Sequence, residues 1–410
     1  MAKLLYLVHR MPYPPNKGDK VRSYHLLRHL AQRHQVFVGT FVDDPDDLAH
    51  VPALRAMCAD LCAVPLQPRL AKLASLSGLL TGEALTLRYY ADARLRAWVA
   101  HTVATQGIDA VLVFSSSMAP YALAHPQLPT LLDLVDVDSA KWTDYAPNHA
   151  WPLSWLYRRE GQRLLAYERQ AVAQSRAAFL VTDNEVALFN RLAPESQGRV
   201  TALCNGVDAE FFAPDPGLPN PFAAGELALV FTGAMDYWPN IDAVTWFVQD
   251  MLPALRQRWP ALRFHIVGRS PAPAVRALAG EAVVVSGTVP DVRPYLQHAC
   301  AVVAPLRLAR GVQNKVLEAM AMGKAVVAAR TCVAAIDARA GEHLLSADQA
   351  EDYIAAVQSL LDDVAAAARI GTAARQCVLA AYDWSARLAG IDAALGPVLP
   401  APAAVLEPAT

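Results

Sequence analysis

The 410 residues exceed what one ordinary core organises, so two domains are expected. Hydrophobic residues make up 54% and charged residues 18%, a balance that excludes a disordered chain and suits large buried interiors. The formal net charge of −2 comes with no basic stripe, so charge gives no ground for a nucleic-acid partner.

Leu4 to Val8 is a short apolar run suited to a buried parallel strand. His9 and Arg10 stop it well short of a signal peptide, and no stretch approaches the ~18 apolar residues of a membrane span, so a cytoplasmic protein is expected. A Pro/Gly-rich loop follows, then a helix capped by Asp19 with apolar positions Val21, Tyr24, Leu27, Leu30 and Ala31. Further strands are expected at Val36 to Val42, Leu61 to Val64, Ala110 to Phe114, Thr130 to Leu134, Ala178 to Thr182 and Val200 to Leu203. Helical stretches separate them, which reads as a doubly wound parallel sheet. The proline-rich run Ala213 to Pro221 reads as the linker. A second sheet is expected from Ala228 to Thr232, Arg263 to Val267, Ala282 to Ser286, Ala301 to Pro305 and Lys324 to Ala328. The expected domains are 1–206, 207–380, and a crossover helix with a loosely ordered tail over 381–410. The six scattered cysteines show no zinc-like spacing and read as reduced thiols.

The strongest chemical signal runs from Arg310 to Val327. It is a glycine-containing loop that opens a helix, and such helix starts favour anions such as a diphosphate. Asn314, Lys315 and Glu318 share one turn of that helix: Lys315 can neutralise phosphate, and Glu318 can accept hydrogen bonds from a ribose diol. A plain surface Lys–Glu pair is the competing reading.

Leu317-Glu318-Ala319-Met320-Ala321-Met322-Gly323, leading into Val326-Val327, resembles the donor-site signature of glycosyltransferase family 4, retaining enzymes of the GT-B fold. That resemblance implies two Rossmann-like doubly wound domains facing a cleft, with Glu318 holding the nucleotide ribose. It extends over most of the chain. Asn205-Gly206-Val207-Asp208 is similar to the family's domain-crossover motif, and Phe231-Thr232-Gly233 to the first strand and turn of its donor domain. Val267-Gly268 and Ser286-Gly287-Thr288-Val289 resemble its next strand ends. The implied donor-binding residues are Gly18, Gly233, Gly268, Gly311, Val312, Gln313, Asn314, Lys315 and Glu318. Two departures stand out. Arg310 occupies the position where the family usually carries a sugar-contacting glutamate, and Ala234 to Asn240 lacks the cations usual after the glycine matching Gly233. Arg310 and Lys315, joined by Arg269, are therefore expected to stabilise the departing diphosphate. Alternatively, Arg310 pairs with a carboxylate on an acidic donor sugar.

The loop Pro12 to Arg22 is the second candidate site, with Gly18 for close backbone approach and Lys17, Lys20 and Arg22 as a cation cluster; an ordinary solvated loop is the equal alternative. His9 to Pro15 together with Asp133 to Trp142 resembles one branch of the family, the sugar transferases associated with the exosortase A/PEP-CTERM system. Asp133, Asp136 and Asp138 alternate along a strand end and are expected to face the cleft. Asp136 or Asp138 is the candidate acceptor-side catalytic residue, with helix capping as the rival role. Three acids could also hold a divalent metal, but no metal is expected, because GT-B enzymes generally use none. Trp142, Trp151, Trp155 and Tyr157 read as helix packing, or as a peripheral contact at the inner face of the membrane. His265 reads as a core histidine.

The expected function is retaining transfer of a sugar from a nucleotide-diphosphate sugar to a saccharide or lipid-linked hydroxyl acceptor, in exopolysaccharide or lipid-linked oligosaccharide assembly. The nucleotide sugar is the donor substrate and no cofactor is expected. A nucleotide-sugar epimerase and a non-catalytic carbohydrate-binding protein are the rivals. A dehydrogenase is disfavoured, because no G-x-G-x-x-G follows the first strand.

Overall fold

Short apolar runs form the strands, because a strand covered by helices on both faces needs apolar side chains on both. The computed structural model describes residues 1–15, 18–308 and 312–396. They fall into two units: Met1–Cys204 with the chain from Leu388 onward, and Asn205–Arg387.

The first unit holds seven parallel strands: β1 (Lys3–Val8), β2 (Gln35–Val42), β3 (Asp60–Pro65), β4 (Ala110–Phe114), β5 (Thr130–Val135), β6 (Ala177–Leu180) and β7 (Val200–Ala202). Their order is β3-β2-β1-β4-β5-β6-β7. Alternate residues Leu5, Leu7, Val111, Val113, Leu132 and Leu134 build one face of its core, as a period of two demands. The second unit holds β8 (Leu227–Thr232), β9 (Leu262–Val267), β10 (Val283–Gly287), β11 (Ala301–Ala304), β12 (Val326–Ala329) and β13 (Leu345–Ala347), in the order β10-β9-β8-β11-β12-β13. Its core gathers Leu229, Phe231, Phe264, Ile266 and Val303 with Leu317, Met320 and Val357 from the covering helices. Each order reverses once, between β1 and β4 and between β8 and β11, which is the doubly wound pattern.

Several elements differ from what the sequence predicts. The run Ala213 to Pro221 is no linker: the units divide at Cys204/Asn205, and Asp215 is fastened within the second unit by Gln297, through bonds of 2.8 and 2.7 Å. Thr182 leaves its strand early to cap the Asp183–Leu192 helix, its hydroxyl accepting from Glu185 N. β13, at three residues, is too short to show a period. The last expected strand begins at Val326 rather than Lys324, because Gly323, at φ 68°, first turns the chain out of the preceding helix. The tail from 397 lies outside the described residues.

A further correction concerns the expected cation cluster. Lys20 and Arg22, on the Gly18–Ala31 helix, point into the first unit and are each 1% exposed. Lys20 pairs with buried Asp47. Arg22 grips Asp133 through two bonds of 2.7 and 3.0 Å and donates to Leu203 O. One guanidinium therefore ties the first helix to β5 and to the end of the first unit's main segment. Removing one partner of a buried pair strands the other charge. Arg22→Met is expected to lose ~3–5 kcal/mol of stability. Urea unfolding reads this directly, and an unchanged midpoint would contradict the assignment.

Candidate donor site

In doubly wound sheets ligands bind beyond the carboxyl ends of the strands, where the order reverses. In the second unit that place lies between β8 and β11. β8 ends at Thr232 and is followed by Gly233, β9 is followed by Gly268, and the Asn314–Ala321 helix follows β11. These ends are stitched backbone to backbone: Gly233 N donates to Val267 O at 3.0 Å, and Gly268 N to Gly287 O at 3.1 Å. A Cβ on Gly268 would fall 1.7 Å from Gly233 O, so the two turns touch as only glycine allows.

Lys315 enters this wall of glycine backbone. A Cβ on Gly233 would lie 2.9 Å from Lys315 Nζ and 2.8 Å from Asn240 Nδ2. The ammonium stands over the Phe231 ring, 4.2 Å from its centroid, and donates to Asn240 Oδ1 at 2.5 Å. Asn240, 5% exposed, is itself fixed by donating to Ala234 O at 2.8 Å. Lys315 is thus held beside the end of β8, the stretch where the sequence offered no cation of its own.

Glu318 follows one turn later, half-buried like Lys315. Burial pushes the Lys315 ammonium down to about 7, against the opposing pull of Glu318 and Cys332. Burial likewise pushes the Glu318 carboxyl up to about 7, against Lys315. Two half-buried groups poised near neutrality are a mark of functional sites. At the helix start, Asn314 Oδ1 is buried without a hydrogen-bond partner, and so is Thr232 Oγ1 at the end of β8. Buried acceptors left this way are costly unless a ligand or a water donates to them.

The structure brings Gly233, Gly268, Asn314, Lys315 and Glu318 to one edge of the second sheet. Val312 and Gln313 lead into the helix and are half-buried. Arg310 and Gly311 lie outside the described residues. Arg269 follows Gly268, half-buried, and enters no ion pair among the described residues, whereas Arg307 is committed to Asp242 at 3.0 Å. The rest of the helix signature is packing: Leu317, Ala319, Met320 and Ala321 are buried, and a Cβ on Gly371 would lie 2.0 Å from Gly323 O. Asn240 and Thr232 were missed as site residues, because nothing in their types marks them until Lys315 is seen beside one of them.

In the first unit, Gly18 starts its helix. Lys17 lies outside the described residues. The three acids do not gather: Asp133 is buried on Arg22, while Asp136 and Asp138 share Lys141 at 2.7 and 3.0 Å. Burial alone would lower Lys141, but Asp138 and Asp136 outweigh it and hold its value up. Among the described residues no three His, Cys, Asp or Glu side chains form a group able to hold a metal. Next to them Glu168 is buried, which raises its carboxyl to about 8 although the Ser139 hydroxyl donates to it. His265 is a core side chain bonded to Glu226. Trp142 packs on Tyr157 at 5.3 Å, whereas Trp151 and Trp155 are exposed. No helix among the described residues is long and apolar enough to cross a membrane.

Residues 226–363, within the second unit, match the family model of glycosyl transferases group 1. No curated protein matches the chain. Among solved structures, sucrose-phosphate synthase from Thermosynechococcus elongatus is 18% identical with a TM-score of 0.70, over 97% of this chain and 99% of that one. HepE of Anabaena in complex with UDP-glucose is 16% identical with a TM-score of 0.65, over 97% and 100%. WaaG, a glycosyltransferase involved in lipopolysaccharide biosynthesis, is 18% identical with a TM-score of 0.65, over 96% and 100%. The two Rossmann-like domains therefore have the GT-B fold.

Gly268→Ala forces a methyl group into Gly233 O. It is expected to cost ~3 kcal/mol or more, whereas Gly280→Ala, where a Cβ meets nothing within 4 Å, is tolerated. Thermal unfolding of both variants checks this; equal melting temperatures would contradict it.

Proposed function

We propose that this protein is a retaining glycosyltransferase that moves a sugar from a nucleotide-diphosphate sugar to a hydroxyl acceptor. The observation that carries the reading is the pair Lys315 and Glu318, half-buried one turn apart at a helix start, with orphaned acceptors at Asn314 and Thr232. The match to glycosyl transferases group 1 over this segment supports it, as do UDP-glucose in HepE and the GT-B fold. In the reaction the bond from the anomeric carbon to the diphosphate breaks and its electron pair passes to the phosphate oxygen. Lys315 balances that charge, and Glu318 accepts from the ribose diol. Asn314 Oδ1 and Thr232 Oγ1 accept from donor hydroxyls. Arg310 adds a second cation where the family resemblance leads one to expect a glutamate. The acceptor hydroxyl oxygen bonds to the anomeric carbon, and its proton passes to the carboxylate of Asp136 or Asp138 as acceptor-side residue. We assign the product to exopolysaccharide or lipid-linked oligosaccharide assembly, on the resemblance of His9 to Pro15 and Asp133 to Trp142 to the PEP-CTERM-associated branch. Incubation with a panel of labelled nucleotide sugars separates the readings. Transfer supports this one, isomerisation would make the protein an epimerase, and binding without turnover a carbohydrate-binding protein.

Glu318→Ala removes hydrogen bonding to a charged acceptor, and a single such bond is worth ~1.5–3 kcal/mol, so donor affinity is expected to fall at least roughly tenfold. Calorimetric titration measures it; unchanged affinity contradicts the ribose role.

The donor diphosphate favours protonated Lys315, so affinity is full below about 7 and falls as pH rises through that value. The ribose diol favours ionised Glu318, so affinity is full above about 7 and falls as pH drops through it. Affinity for a nucleotide sugar is thus expected to peak near neutrality. Glu318→Gln should abolish the acid limb and Lys315→Arg the alkaline one. Limbs that persist in these variants belong to other groups.

A further inference from the structure

The first unit carries an apolar face that its own fold does not cover. On the Pro68–Ser75 and Gly78–Thr81 helices and the turn between them, Leu70, Leu73, Leu76, Leu79 and Leu80 stand in solvent, Leu80 at 92% exposure. Ser75 and Gly78 occupy the buried side of the same segment. Arg69 and Lys72 are exposed among the leucines, and no acid occurs from 66 to 82. Glu83, which follows, pairs with Arg88.

The start of the Leu153–Gln174 helix adjoins this segment. Arg159 donates to Gly78 O at 2.7 Å and to Glu83 O at 3.2 Å. Trp155, one turn before Arg159 and so on the same side, is 50% exposed, and Trp151 is 80% exposed. Arg158 and Arg163 are exposed nearby, while the acid of this stretch is turned inward. Glu160 accepts from Leu85 N and Thr86 N at 2.7 and 2.8 Å. Beside Leu70 a groove of about 650 Å³ opens at the carboxyl ends of β2 and β3, lined by Val42, Leu48, Pro65, Leu66 and Leu70, with Arg69 at its edge. Asp43, also in its wall, is neutralised by Arg10 at 2.8 Å.

We propose that this face docks on an anionic phospholipid bilayer and that the groove receives one hydrocarbon chain from it. Exposed leucines and tryptophans supply the burial, and the unpaired sign of the flanking charges selects the headgroup. A protein partner of ordinary surface charge would leave these cations without complement. The inference stands on this surface alone and holds whether or not the chain transfers sugars.

Sedimentation of the full chain with phosphatidylglycerol vesicles and with phosphatidylcholine vesicles tests it. Binding is expected to be roughly tenfold or more stronger on phosphatidylglycerol and to weaken with salt. Leu73→Ser with Leu80→Ser should weaken binding to phosphatidylglycerol vesicles about tenfold or more, and Arg69→Glu with Lys72→Glu should abolish the preference for them, both while keeping the wild-type melting temperature, because all four side chains are exposed. Phosphatidylglycerol with a photoactivatable acyl chain should label the peptides holding Leu48 and Leu70. Equal binding to both vesicle types, or no binding, overturns the proposal. Labelling confined to other peptides overturns the groove assignment. A dimer in ultracentrifugation that the leucine variants dissociate would make the face an interface between copies instead.

Discussion

A lysine confined among glycine backbone is the constraint on which the candidate site depends. Lys315 can stand beside the end of β8 only because Gly233 carries no Cβ, and Gly233 can hold its turn only because Gly268 yields it the same space. Asn240 and the Phe231 ring complete the enclosure. The enclosure also withdraws the ammonium from water, which lowers its proton affinity towards neutrality and leaves a charge with little local compensation. In the proposed function the donor diphosphate supplies that compensation. The same burial acts in the opposite sense on Glu318, so one helical turn carries both a cation and an anion near neutrality.

The sequence made the architecture legible because parallel strands covered on both faces are apolar without interruption. β4, read as Ala110 to Phe114, is buried at every position. What escaped were features without period or type. β13 is three residues long, and the proline run 213–221, which read as the linker, is fastened within the second unit by Gln297. Local composition says that a segment is irregular but not which core it lies against.

For the site, the legible part was the helix start, where Asn314, Lys315 and Glu318 stand at helical spacing. Most of the surrounding signature proved to be packing: Ala319 and Ala321 are buried, and it is Gly371, lacking a Cβ, that lets its helix approach Gly323 O. The apparent gap in charge after Gly233 was a gap in sequence only, since Lys315 fills it from another element. The reverse error occurred in the first unit. Lys20 and Arg22 looked like ligands for an anion and are instead spent on Asp47 and Asp133 inside the fold. Whether a cation is offered to solvent or consumed by a buried carboxylate is decided by contacts distant in the chain, which spacing does not reveal.

The central claim is that Lys315 is poised near neutrality and receives the donor diphosphate. Reductive methylation with carbon-13 and NMR titration of the lysines measures it, with Lys315→Arg identifying the resonance. The account predicts a resonance titrating near 7, absent in that variant and shifted to higher pH by a bound nucleotide sugar. A Lys315 resonance with an ordinary lysine value, or one that a bound donor leaves unmoved, would contradict it.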